Sequence, residues 1–285
     1  MHFRFWVCTL TLFFFTCKME RPDPASEALA ILHKHPSDFL NELAALDALA
    51  SREAHLPGKT FVDSIYRYAS RLKPTMVEAG SDSMKLALLK AWVFDSLRIE
   101  PIEDSNQLAM SLPSQILATR KGSCLGLSLL FLALGQTLDL PLVPVFLPEH
   151  VFIRFRSPTF SANVETLRKG IARSDSFYRE TFSLSRRPWY QLADGTQKQA
   201  LAALVFNMGN LHSSQSKWDL ALGEYRLVEE VIPGFPETLG SQGAVFLATG
   251  DSQQAEKKLF MAFKGDSLSK PLIQNLRKFS KWGIY

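Results

Sequence analysis

Residues 120–155 read RKGSCLGLSLLFLALGQTLDLPLVPVFLPEHVFIRF. Behind Cys124, the leucines at 125, 127, 129, 130, 132 and 134 put apolar side chains on nearly every side of a helix, the pattern of a central, buried element. At Leu140 the character changes. LPLVPVFLP is short, apolar and bounded by prolines, which marks a strand at the start or edge of a sheet. HVFIRFR from His150 and FSANVETL from Phe160 continue as two further strands, with turn chemistry in RSPT (156–159) between them. A buried helix followed by a small antiparallel sheet predicts an α+β fold.

Upstream the chain reads as helices. SEALAILHKHPSDFLNELAALDALASREA (26–54) is helical, interrupted near Pro36, with Ser26 as its cap. TFVDSIYRYASRLKPTM (60–76) carries Phe61, Ile65, Tyr68, Ala69 and Leu72 at helical spacing. SDSMKLALLKAWVFDSLRI (81–99) is capped by Ser81 or Ser83, and SLPSQILATRKG (111–122) predicts a short helix ending at Gly122. Downstream, RKGIARSDSFYRETFSLSRRPW (168–189) shows no clear period and reads as a basic, irregular or partly helical connector. From about Thr196 the helical pattern returns, now as a repeat. Asn207, Gly209 and Ala221 recur as Ser241, Gly243 and Ala255, an offset of 34 residues each time. That is the tetratricopeptide period. Gly209, Ala221, Tyr225, Val228 and Pro233 fit the small, aromatic and turn positions of one repeat, and Gly243, Phe246, Ala255 and Ala262 those of the next. Small residues are needed where neighbouring helices approach closely. Helix pairs are expected at 197–212 with 217–231 and at 236–249 with 252–264, followed by a capping helix from Pro271 that ends in Trp282 and Tyr285.

Cys124 follows Gly122 and Ser123 at the start of its helix. Unpaired N–H groups and the positive dipole end stabilise a thiolate at such a place, and the same groups can serve an oxyanion. Gly122 would leave room for a substrate carbonyl. A helix over 124–138 is about 21 Å long at ~1.5 Å per residue. The following strand can return roughly that distance, so His150 can come back to the thiol. Strand alternation puts Asn163 and Glu165 on one face, where either can orient the imidazole. A cysteine alone is more often a small buried apolar side chain. It is the company of Gly122, Ser123, His150 and Glu165 that points to acyl-transfer chemistry.

The order of helix-borne cysteine, strand-borne histidine and strand-borne acid resembles the transglutaminase-like branch of the papain fold. It is closest to a bacterial subgroup that joins RKGSCLGLSLLFLALGQTLDLPL, PEHVFIRF and NVETLRKG to tetratricopeptide repeats, over roughly Thr60 to Asp266. The resemblance implies a helix packed on an antiparallel sheet, Cys124 as nucleophile, His150 as general base and Glu165 as the acidic third residue, with Asn163 two positions before it. Glu149 stands where the motif often has glycine. The expected substrate is a protein or peptide amide.

The N-terminus reads MHFRFWVCTLTLFFFTC, a basic start and an apolar stretch from Phe5 to Thr16. Twelve residues are too few to span a bilayer, which takes about 20. The length suits an export signal. Cys17 at its end resembles the acylated first residue of a bacterial lipoprotein, although Thr16 replaces the usual small residue. The alternative is an uncleaved anchor. Either reading places the chain outside the inner membrane, on the periplasmic or cell-surface side. With Cys8 in the signal and Cys17 lipidated, Cys124 has no disulfide partner. The chain has 285 residues, 46% hydrophobic and 21% charged, with a formal charge of +4 spread without a stripe, so a nucleic-acid partner is not expected. His33, His35, His55 and His212 show no ligand spacing, so no metal or cofactor is expected.

The expected organisation is a signal at 1–17, a tether at 18–25, a transglutaminase-like domain at 26–195 and a repeat module at 196–285, with repeats at about 202–235 and 236–269. Two functions are open. One is a thiol enzyme using Cys124, His150 and Glu165 or Asn163. The other is a protein-binding scaffold with a degenerate thiol domain that captures a protein partner in the repeat groove.

Overall fold

The computed structural model describes residues 22–34, 38–103 and 107–279. The expectations for Cys8, Cys17, His35, Pro36, Trp282 and Tyr285 lie outside the described residues.

Helix α1 (Pro24–Leu32) is capped by Asp23 rather than Ser26. The Asp23 carboxylate accepts the N–H groups of Ala25 and Ser26 and, at 2.6 Å, the Ser26 hydroxyl. Pro24, with its φ already helical, takes the first position and leaves the capping to its predecessor. Helices α2 (Phe39–Glu53), α3 (Val62–Glu78) and α4 (Asp82–Ala91) follow, and Ser81 caps α4. Next, α5 (Pro113–Thr119) ends earlier than expected, at Arg120 in the left-handed region (φ 62°), because the chain there leaves to pair β2 (Lys121–Gly122) with β1 (Glu100–Pro101).

Helix α6 (Cys124–Thr137) is the centre of the molecule. Every residue from Leu125 to Gly135 is buried, as a helix without a polar face requires. It lies against strands β3 (Leu142–Leu147) and β4 (His150–Arg156) and against α2 and α3. The sheet continues through β5 (Ser161–Glu165) to β6 (Ile171–Arg173), antiparallel throughout in the order β3-β4-β5-β6. The fourth strand and helix α7 (Asp175–Thr181), capped by Ser174, occupy the stretch expected to be an irregular or partly helical connector. Strand β4 is buried on both sides. Val151, Ile153 and Phe155 alternate with Phe152 and Arg154, and Phe152 stacks on Tyr178 of α7 at 4.2 Å. Arg154 is 2% exposed and keeps its charge buried by bonding Asn163, the Leu192 carbonyl, Asp175 and Asp194.

The remainder is helical: α8 (Gln197–Ser214), α9 (Trp218–Val231), α10 (Pro236–Thr249), α11 (Ser252–Gly265) and α12 (Lys270–Leu276). Thr196 and Gln199 close a capping box at the start of α8. The two hairpins repeat one contact. A Cβ on Gly209 would lie 2.5 Å from the Tyr225 ring, and a Cβ on Gly243, 34 residues later, would lie 2.6 Å from Leu259, itself 34 residues after Tyr225. The hydrophobic core does not divide at residue 195. A single large cluster runs from Ala28 through α6 and the sheet to Leu201, Val205, Met208, Val228 and Phe235, with two smaller ones around Leu239, Leu259 and Leu272 and around Ala221, Tyr225 and Val245. Among the described residues, no helix is long and apolar enough to cross a membrane.

Candidate active site

The start of α6 is fixed by its surroundings. Ser123 caps it, accepting Gly126 N–H at 3.4 Å and giving its own N–H to the Met110 carbonyl at 2.8 Å. Gly126 permits this fit, since a Cβ there would lie 2.3 Å from the Met110 oxygen. Gly122 has a different role from the one expected. It faces the core, where a Cβ would meet Ile116 and Leu127 at 3.0 Å, so it makes room for packing and not for a substrate carbonyl. Cys124, at the first helical position, is a free thiol and partly buried. The N–H groups of this first turn have no intrahelical acceptor.

His150 opens β4 after a two-residue turn at Pro148 and Glu149. Its Nε2 lies 2.9 Å from Glu165 Oε2, and Cys124 lies beside the ring, near enough to bear on its protonation. With Nε2 occupied by Glu165, Nδ1 is the nitrogen left for sulfur. Burial alone would favour the neutral ring. The neighbouring Cys124 and the bond and charge of Glu165 outweigh it and raise the His150 pKa to about 9. Phe182 stacks on the imidazole with planes 3° apart.

Glu165 is held from three sides. Oε2 accepts from His150 and from the Tyr178 hydroxyl at 3.1 Å, and Oε1 accepts Leu167 N–H at 3.1 Å. Burial and the adjacent Glu165 charge keep the Tyr178 phenol protonated well above its ordinary range. Asn163 shares a sheet face with Glu165 but does not reach His150. The register pairs Asn163 with Arg154, four residues further along β4 from His150, or ~13 Å at strand spacing. Its amide bonds Arg154, Asp175 and the Arg173 carbonyl. The structure thus brings Cys124, His150 and Glu165 together and commits Asn163 to the buried Arg154 cluster.

Two clefts meet at the thiol, of about 440 and 460 Å³, and both are lined by Ser123, Cys124, Glu149 and His150. The first runs towards the C-terminal helices, past Phe206, Asn207 and Phe235. The second runs past Arg168, Arg173 and Phe182, where Arg168 pairs with Glu103. Glu149 has φ 56°, a conformation that favours glycine. Its N–H donates to Glu237 Oε1 at 3.0 Å, and Glu237 Oε2 accepts the Tyr190 hydroxyl at 2.6 Å. Burial pushes the Glu237 carboxyl up to about 7, against the lowering effect of those two bonds.

Tyr178, Phe182 and Glu237 were not among the residues expected at the site. The first two had a signal: Tyr178 and Phe182 stand four apart, on one helical face, behind Ser174 as a cap. Glu237 has none, because it reaches the site from 88 residues beyond Glu149.

A comparison with curated proteins finds no match. Among solved structures, a crystal structure of menin that reveals the binding site for Mixed Lineage Leukemia (MLL) protein is similar at 11% identity and a TM-score of 0.48, over 89% of this chain and 74% of that one. Residues 59–184, which include Cys124, His150 and Glu165, match the family model described as Transglutaminase-like superfamily, and this stretch is a transglutaminase-like superfamily domain.

Proposed function

We propose that the protein is a thiol-dependent acyl-transfer enzyme acting on carboxamide or peptide carbonyls through Cys124, His150 and Glu165. The observation that carries this reading is the placement of one imidazole between a thiol at a helix start and a triply bonded carboxylate. Cys124 gives its proton to His150 Nδ1, and its sulfur attacks the carbonyl carbon. The N–H groups of Cys124 and Leu125, at the start of α6, receive the resulting oxyanion. The imidazolium, held in place by Glu165, returns the proton to the leaving nitrogen, and the C–N bond breaks to leave a thioester. A water or an amine, deprotonated by His150, then attacks the thioester and releases the acid or a new amide together with the Cys124 thiol.

The test is thiol reactivity. Folded protein should lose Cys124 to iodoacetamide at pH 6–7 at least about tenfold faster than a model thiol, and His150→Ala should remove the advantage. Reaction at the model rate in both proteins would instead support a non-catalytic scaffold that binds a protein partner through its helices.

The C-terminal hairpins fit tetratricopeptide repeats that recruit a partner or present substrate. This is supported by the shared 34-residue offset of their close glycine contacts. The N-terminal stretch ending at Cys17 fits an export signal with lipid attachment, which would hold the enzyme on the periplasmic or cell-surface side of a membrane. Metabolic labelling with a fatty acid, compared with Cys17→Ser, tests that placement: label that persists in the variant would rule out Cys17 as the acylated residue.

A further inference from the structure

The turn that delivers His150 is held from outside the domain that carries it. Strands β3 and β4 are joined by Pro148 and Glu149 alone, and Leu147 pairs directly with His150. Any rotation of the Pro148–Glu149 peptide is therefore passed to His150, one residue further on. Glu149 sits at φ 56°, where a side chain is unfavourable and glycine is not. Such a conformation persists only where its surroundings fix it. Nothing in the β-hairpin takes the Glu149 N–H. The acceptor is Glu237, in the first turn of α10. Glu237 is in turn fixed through its second oxygen by Tyr190, from the segment that joins α7 to α8. Tyr190 is itself buried, 2% exposed. Phe146 of β3 meets Phe235, two residues before Glu237, edge-on at 6.0 Å, so apolar packing accompanies the hydrogen bond.

We propose that Glu237 is a positioning residue for His150: by accepting the Glu149 N–H it holds the strained turn in the one peptide orientation that aims the imidazole at Cys124. The C-terminal helices are then part of the site, since α10 supplies the acceptor. This rests on the catalytic reading of Cys124 and His150. It goes beyond that reading by making the competence of the site depend on a residue 53 positions after the end of the matched domain.

The experiment uses the full chain and two readouts, the iodoacetamide rate of Cys124 at pH 7 and the titration of the His150 ring followed by NMR. Glu237→Ala should slow alkylation by about tenfold or more, the scale expected when a reacting pair is displaced by a fraction of an ångström to an ångström, and should shift the His150 ring signals. Glu237→Gln keeps a carbonyl acceptor and should stay within about threefold of the parent. Glu149→Gly removes the strain, so the double variant Glu149→Gly with Glu237→Ala should recover most of the lost rate. A purely structural role for Glu237 would give no such recovery. If Glu237→Ala fails to fold, Glu237→Asp retains the carboxyl group but draws it back by one methylene, and it should show the same loss and the same rescue. Unchanged alkylation and an unchanged His150 titration in the Ala or Asp variant would overturn the proposal. An unreactive Cys124 in the parent would count against the catalytic reading alone. The proposal would then stand or fall on whether the His150 signals move in Glu237→Ala and stay in place in Glu237→Gln.

Discussion

Replacing Glu165 by Gln changes one atom and should disable His150. The carboxylate makes three bonds as an acceptor, two through Oε2 and one through Oε1. Glutamine offers one acceptor oxygen and one donor group. If its oxygen keeps Leu167 N–H, its NH₂ faces His150 Nε2. That nitrogen must then accept, which moves the ring proton to Nδ1, the position that has to receive the thiol proton. If its oxygen faces His150, the NH₂ is set against the Leu167 N–H, and a buried donor is lost. Both arrangements also remove a negative charge from an imidazole whose side chain is 11% exposed. The rise of the His150 pKa from 6.5 to about 9 corresponds to about 3 kcal/mol in favour of the imidazolium. Cys124 stays beside the ring while burial continues to oppose the charge, so the proton equilibrium should shift by at least about tenfold. NMR titration of the His150 ring would read this directly.

Stability should follow with a definite sign. The folded value lies above the unfolded one, so the contribution of His150 is complete below pH 6.5 and is lost as pH rises through about 9. Chemical denaturation of the parent should show this decline between pH 6.5 and 9, and Glu165→Gln should flatten it. A parent ring that titrates near 6.5, or a midpoint unmoved by Glu165→Gln, would refute the coupling of imidazole, thiol and carboxylate.

Other perturbations separate packing from chemistry. Gly209→Ala and Gly243→Ala push a methyl against Tyr225 and Leu259 respectively, and each should cost about 1–3 kcal/mol by overpacking in a melting experiment while leaving Cys124 alkylation unchanged. Arg154→Met removes a partner from Asp175 and Asn163, while Asp194, partly exposed, keeps Arg156, so denaturation should reveal a loss of about 1–3 kcal/mol. His212, wholly buried on α8, bonds Glu224 of α9 at 2.8 Å and approaches Glu53 of α2 at 3.5 Å. Burial disfavours its charge, but the two carboxylates prevail and raise its pKa, so its contribution is present below pH 6.5 and fades as pH rises above that. His212→Gln should remove that pH dependence, measured by denaturation across pH 6–8.

The α6 helix and the strand starting at His150 were legible because their signals are local: an all-round apolar run, a Pro-bounded strand and alternating residues after it. Choosing between Asn163 and Glu165 was not possible from alternation, which places both on one face. Strand register decides it, and register depends on how β4 and β5 slide against each other. Gly122 was misread for a related reason. A glycine beside a reactive thiol suggests an open approach, yet whether its missing side chain admits substrate or neighbours depends on Ile116 and Leu127 folding in from either side. The β6 strand is only three residues long and carries little periodic signal. Asp23 in place of Ser26 reflects Pro24, which shifts a helix start by preset geometry more strongly than a hydroxyl can. The Glu149 conformation was foreshadowed by the glycine that the family motif prefers there. The carboxylate that holds it, Glu237, was hidden by its separation along the chain.

The undivided core between α6 and the first C-terminal hairpin has a practical corollary. Leu201, Val205 and Met208 of α8 occupy the same apolar interior as Leu129 and Phe131. A gene cut at residue 195 would expose that interior on both fragments, and neither half should be soluble when expressed alone. The hairpins are therefore no interchangeable cassette, and any lineage that lost or swapped them would have had to rebuild the floor beneath the thiol at the same time.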